Sequence, residues 1–148
     1  MLNQDFKELL SAFNAHAVDF LVVGAHALAA HGHVRATKDL DVWVKPDPTN
    51  ARRIIAALHA FGAPTHNVTE SDFAAPEITF QIGVEPVRID IITTVDGLDF
   101  EGAWNNRVAA EYGGEKVYVL SKEDLITNKR ASGRPQDLAD IAALQHQK

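Results

Sequence analysis

Apolar residues recur along the chain in two periods, and each period predicts an element. In residues 3–17, Phe6, Leu9, Leu10 and Phe13 fall at three- and four-residue spacing, one face of an amphipathic helix. Residues 18–24 are a short β-branched and aromatic run ending in Gly24, the pattern of a buried strand. Residues 25–30 are rich in strong helix formers and predict a short helix that Gly32 stops. Asp39-Leu40-Asp41-Val42-Trp43-Val44-Lys45 alternates with period two until Pro46-Asp47-Pro48 ends it. Residues 49–61 carry Ile54, Ile55, Leu58 and Phe61 on one helical face, closed by Gly62. Residues 78–82 and 87–92 predict two strands of a hairpin that turns through residues 83–86. Residues 99–107 predict a short helix and residues 116–120 a last strand. Ser121 then stands as the cap of a helix with Glu123 and Asp124 in its first turn. Gly133-Arg134-Pro135 interrupts it, and a final helix is expected over residues 136–145. Strands joined both by helices and by a hairpin predict an α+β domain, an α/β mixed sheet flanked by helices.

Composition narrows the picture. A length of 148 residues predicts one domain, residues 1–148, large enough to bury a core without staples. The absence of cysteine removes disulfides, zinc–thiolate sites and thiol nucleophiles. Fourteen basic against twenty acidic side chains give a net charge of −6, which argues against a broad electrostatic grip on nucleic acid. The first residues lack the basic start and apolar stretch of a signal peptide, and no apolar run approaches the roughly 18 residues that span a bilayer. A cytoplasmic protein without membrane contact is therefore expected.

Chemistry concentrates around Asp39-Leu40-Asp41. In a strand both aspartates project to one face while Leu40, Val42 and Val44 enter the core on the other. At ~4 Å and an effective dielectric near 20 their repulsion costs about 4 kcal/mol, which a divalent cation removes. Oxygen-only ligands select magnesium or manganese over zinc. A solvated sheet face is the ordinary reading of an isolated Asp-x-Asp, but three features shift the balance. Asp90 lies in an apolar interior strand, where an acid needs a partner: either Arg88 on the same face, or a shared metal cluster. Gly24 ends a strand before a helix, where backbone can approach a phosphate closely. Arg35 and Thr37, just before the aspartates, supply a guanidinium and a hydroxyl suited to phosphate oxygens, or merely to a turn.

Read together, Val23-Gly24-Ala25-His26-Ala27, then Arg35, Thr37 and Asp39-Leu40-Asp41-Val42, resemble the signature of the DNA polymerase beta-like nucleotidyltransferase superfamily. Within it, the chain looks most like the abortive-infection toxins of type IV toxin–antitoxin systems, through Arg35-Ala36-Thr37-Lys38-Asp39-Leu40-Asp41 and a C-terminal string of Lys129, Arg134, Asp137, Leu138 and Asp140. The resemblance spans about residues 18–145. It implies a polymerase beta-like fold with a helical C-terminus. It also implies transfer of a nucleoside monophosphate from an NTP such as ATP to an acceptor hydroxyl. By the same resemblance, Asp39, Asp41 and Asp90 are the catalytic metal ligands for magnesium or manganese. Gly24, Ala25, His26, Arg35, Thr37 and Lys129 are the nucleotide-binding residues. The expected acceptor is an RNA end such as that of tRNA, with an antitoxin protein as cognate partner. A small hydroxyl-bearing molecule such as an antibiotic is the alternative acceptor, and a nucleotide-binding module without turnover is the alternative outside the enzyme class.

One departure bears on that last alternative. The superfamily usually has Gly-Ser or Gly-Gly at the turn, whereas Gly24-Ala25 keeps the backbone N–H, lacks the hydroxyl and resists positive φ at its second residue. Trp43 shares a face with the aspartates, yet a tryptophan there is more often core. His31 and His33 read as loop residues, and Asp137 and Asp140 as structural partners of Arg134 or Lys129.

Overall fold

The computed structural model describes residues 3–33, 39–84 and 87–145. The chain opens with helix α1 (Gln4–Ala15), capped by Asn3, whose side chain accepts from the Phe6 N–H at 3.1 Å. Strand β1 (Phe20–Val23) runs straight into helix α2 (Gly24–Ala30). Strand β2 (Asp39–Val44) leads to helix α3 (Pro48–Phe61), whose start is set by Asp47 accepting from the Asn50 N–H and by proline in the first turn. A single turn, α4 (Glu70–Phe73), precedes the antiparallel strands β3 (Thr79–Val84) and β4 (Val87–Ile92). Helix α5 (Phe100–Asn105), strands β5 (Val108–Tyr112) and β6 (Glu115–Val119), and helices α6 (Lys122–Ser132) and α7 (Pro135–Gln145) complete it.

The six strands form one mixed sheet in the order β3-β4-β2-β1-β6-β5. β1 pairs antiparallel with β2 and parallel with β6, and β2 pairs parallel with β4. Alternation along β2 then assigns the two faces. Leu40, Val42 and Val44 are fully buried on one face, where Leu10 of α1 and Ala30 of α2 line a small space with Leu40, Val22 and Val119. Trp43 lies on the other face with Asp39 and Asp41. Its ring meets Phe100 of α5 edge-on at 5.2 Å, and its indole N–H donates to the Thr93 carbonyl, so it is core rather than a border of the site.

Asn50, fully buried at the start of α3, ties the far ends of β1 and β2 together. Its carbonyl accepts from the Asp19 N–H at 2.8 Å, and its amide donates to the Asp19 and Lys45 carbonyls at 3.0 Å. Three backbone groups that water would otherwise satisfy are thereby paired inside the protein.

Two elements go beyond the sequence reading. β5 reads Val-Ala-Ala-Glu-Tyr, without polar–apolar alternation, and becomes a strand by antiparallel pairing with β6 across the Gly113-Gly114 turn. The α4 turn is held by a reciprocal capping box between Thr69 and Asp72. The expected 83–86 turn falls partly at residues 85–86, outside the described residues.

Candidate active site

The register of three strands assembles the site. Val23 at the end of β1 lies opposite Asp41, and Asp41 lies opposite Asp90 on the parallel neighbour β4. Asp39 is opposite Arg88 in the same ladder. Because directly opposed residues share a face, Asp39, Asp41, Arg88 and Asp90 project together.

Gly24 is fixed by this crowding. Its φ is +68°, and a Cβ there would overlap the Oδ2 of Asp41. The strained residue of the turn is thus Gly24 itself, while Ala25 is an ordinary buried residue in the first turn of α2. Alanine in place of a second glycine or serine costs the backbone nothing at this position.

The Arg88 guanidinium spans the acids. One terminal nitrogen lies 3.0 Å from Asp39 Oδ2 and 3.2 Å from Asp90 Oδ2. Nε lies 3.1 Å from Asp90 Oδ1, in ion-pair range without the alignment of a hydrogen bond. The pairing of Asp90 with Arg88 and its apposition to Asp41 therefore coexist. Burial, reinforced by the charges of Asp90 and Asp39 and only partly offset by Arg88, pushes the Asp41 carboxyl up to about 6. Among the described residues no three acidic or histidine side chains are already gathered into a metal cage. Between Asp39 and Asp90 lies the guanidinium. The donor set is nevertheless all carboxylate oxygen, with Asp41 directly opposite Asp90 and on one face with Asp39, so these residues fit a hard divalent cation.

His26 is not brought to the carboxylates. Two residues into α2 the helical rotation turns its ring to the opposite face of the sheet, between Phe6 at 5.5 Å and Tyr112 at 5.6 Å. Burial holds its pKa below the usual histidine value, although a hydrogen bond with the Asp39 backbone opposes that. It packs there against two aromatic rings, away from the carboxylates beside which nucleotide contact was expected.

Lys129 also departs from expectation. Its ammonium is buried between α6 and α7, 3.2 Å from Asp137 and 3.1 Å from Asp140, both fully buried. The exposed cation of this cluster is Arg134, whose Nε donates to Asp137 at 2.8 Å. Its charge is stabilised first by Asp137, then by Asp140 and least by Asp41. Asp137 is itself held below the usual carboxylate range: burial pushes it upward, and hydrogen bonds from Arg134 and Lys129 outweigh that push. His33 reaches Asp140 at 3.2 Å, and His31 reaches the Leu120 carbonyl at 2.7 Å. Arg35 and Thr37 lie outside the described residues.

The sequence matches, over residues 1–146, a family described as "Nucleotidyltransferase of unknown function (DUF6036)". The chain belongs to this nucleotidyltransferase family. No curated protein matches its sequence. Solved structures match the fold along nearly the whole chain. The lincosamide antibiotic adenylyltransferase LnuA, lincomycin-bound, is similar at TM-score 0.59 and 17% identity, covering 98% of both chains. A Thermotoga maritima protein assigned as a nucleotidyltransferase gives 0.61 at 16% identity, covering 98% of this chain and 93% of that one. ANT(2")-Ia in complex with adenylyl-2"-tobramycin gives 0.62 at 13% identity, with 94% and 84% covered. The mixed sheet with flanking helices is accordingly the nucleotidyltransferase fold. At these identities the likenesses are of fold, and they do not bear on the toxin resemblance. Among the described residues, no helix is long and apolar enough to cross a membrane.

Proposed function

We propose that this nucleotidyltransferase moves a nucleoside monophosphate from an NTP to a hydroxyl, using a metal site built from Asp39, Asp41 and Asp90. The observation that carries this reading is the opposition of Asp41 and Asp90 across β2 and β4, with Asp39 on the same face and Gly24 against Asp41. Two carboxylates directly opposite each other on paired strands repel, and such an arrangement is costly unless a cation is its purpose.

In the proposed reaction the acceptor oxygen forms a bond to the α-phosphorus, the α–β anhydride bond breaks and pyrophosphate leaves. The acceptor proton passes to an Asp90 carboxylate oxygen. Magnesium or manganese, held by Asp39, Asp41 and Asp90, would neutralise the triphosphate and draw the reacting oxygens into line. Gly24 lets backbone approach without a side chain between it and Asp41. Arg134, exposed at 72% of its side chain, is a cation free to turn toward a phosphate while still paired with Asp137. Lys129 acts through Asp137 and Asp140, neutralising them and thereby holding Arg134. Positioning and charge neutralisation supply most of the rate in transfers of this type.

For the acceptor, the toxin-like motifs favour an RNA end. A small antibiotic hydroxyl is the second reading, favoured by the length-for-length match to a lincosamide adenylyltransferase. The test is transfer of label from each of four α-³²P NTPs, with magnesium, to tRNA, a lincosamide and an aminoglycoside. Label is expected on one acceptor class, reduced about 10²- to 10³-fold or more in Asp41→Asn. Nucleotide binding with no labelled product from any acceptor would instead favour a module without turnover.

A further inference from the structure

The most unusual feature of the carboxylate face is that it already contains a positive charge on its own strand. Arg88 and Asp90 are two residues apart on β4, so their side chains leave the sheet on one side, and Arg88 is directly opposite Asp39. From that position the guanidinium reaches sideways to β2 and along its own strand at once. It lies 3.0 Å from Asp39 and 3.2 and 3.1 Å from the two oxygens of Asp90. Its planar fork suits this two-carboxylate bridge, whereas a lysine would make a single point contact.

We infer that Arg88 is a built-in counter-cation that holds Asp39 and Asp90 in place before metal and nucleotide arrive, and that binding them requires its release. This rests on the metal reading of Asp39, Asp41 and Asp90. A guanidinium and a divalent cation compete for one pair of carboxylates, because at these distances two like charges repel strongly in a partly dry site. The arrangement also permits release. The Arg88 side chain is 28% exposed, and its long stem can carry the charged head into solvent without movement of β4. A fixed structural pair would show the opposite setting, with both partners sealed, as Lys129 and Asp137 are at 5% and 0%. Arg88 is thus a positioning residue: it keeps mutually repelling acids together until a cation binds and sets a threshold that a metal–triphosphate complex crosses more readily than a bare ion.

Direct titration with Mn²⁺ alone, on the intact chain at pH 8, tests this with wild type, Arg88→Gln, Arg88→Lys and Asp41→Asn. Arg88→Gln is expected to bind Mn²⁺ about tenfold tighter than wild type, with Arg88→Lys in between. The same Arg88→Gln protein is expected to melt below wild type in chelator and to recover to the wild-type value with excess Mn²⁺. Arg88→Lys, which keeps a charge and a fold, provides the comparison if the glutamine variant proves poorly folded. If wild type binds Mn²⁺ in an Asp41-dependent way and Arg88→Gln binds no tighter, the counter-cation role is overturned while the metal site stands. If neither wild type nor Arg88→Gln shows Asp41-dependent binding, the metal site and the role of Arg88 fall together.

Discussion

Asp41 carries the electrostatic character of the site at the scale of one residue. Burial and the adjacent acids raise its carboxyl to about 6, so the fold prefers the neutral form. Between about pH 4 and pH 6 the native state keeps a proton that the unfolded chain has released. Stability therefore falls as pH rises through that window and stays reduced above it. With screening by solvent allowed for, the penalty is about 2 kcal/mol. Asp41→Asn removes the charge, and in chelator at pH 8 it is expected to melt roughly 4–8 °C above wild type, with no such gain at pH 4. Thermal melts at the two pH values check this, and a destabilised mutant at pH 8 would contradict it. Asp137 has the opposite sign. Its carboxyl is held low by Arg134 and Lys129, so its contribution is present above the ordinary carboxylate range and is lost as acid titrates it.

At the scale of elements, the α6–α7 pair is stitched by charge rather than by apolar contact alone. Lys129 bridges two fully buried aspartates, and Asp140 also accepts from Gln136 and pairs with His33. Removing the buried ammonium leaves both carboxylates with one charged partner fewer, a change that costs about 3–5 kcal/mol at buried pairs. Lys129→Met is expected at the lower end, about 3 kcal/mol, because Arg134 still serves Asp137. Chemical denaturation measures it, and an unchanged midpoint would show that the pairs carry no stability. The sequence reading foresaw that Asp137 and Asp140 pair with Lys129 or Arg134, since acids opening a helix beside basic residues have few other partners. It does not show that the ammonium of Lys129 is buried, because burial depends on how two helices dock and helical spacing alone does not report that.

For the whole molecule, the strands that matter most were the most legible. Asp39-Leu40-Asp41 and Ile89-Asp90-Ile91 alternate with apolar residues, so both face and interior position follow from period two. Their pairing was not legible: that Asp41 faces Asp90 depends on β2 and β4 being neighbours although α3, α4 and β3 separate them in sequence. The side on which His26 packs was not legible for a related reason, since proximity to Gly24 along the chain does not say which side of the sheet the next helical residue faces. The Gly113-Gly114 turn before Glu115 was a usable signal for a hairpin and would have found β5. Arg35 and Thr37 remain sequence expectations for phosphate contact.

The proposed function requires that these paired strands form a metal–nucleotide site. Calorimetric titration of the intact chain with ATP and the other NTPs, with and without magnesium, tests it most directly in wild type and Asp41→Asn. At least one NTP is expected to bind wild type only when magnesium is present and to lose at least about tenfold in affinity in the mutant. Equal binding with and without magnesium, or binding untouched by Asp41→Asn, would contradict the role assigned to this carboxylate face.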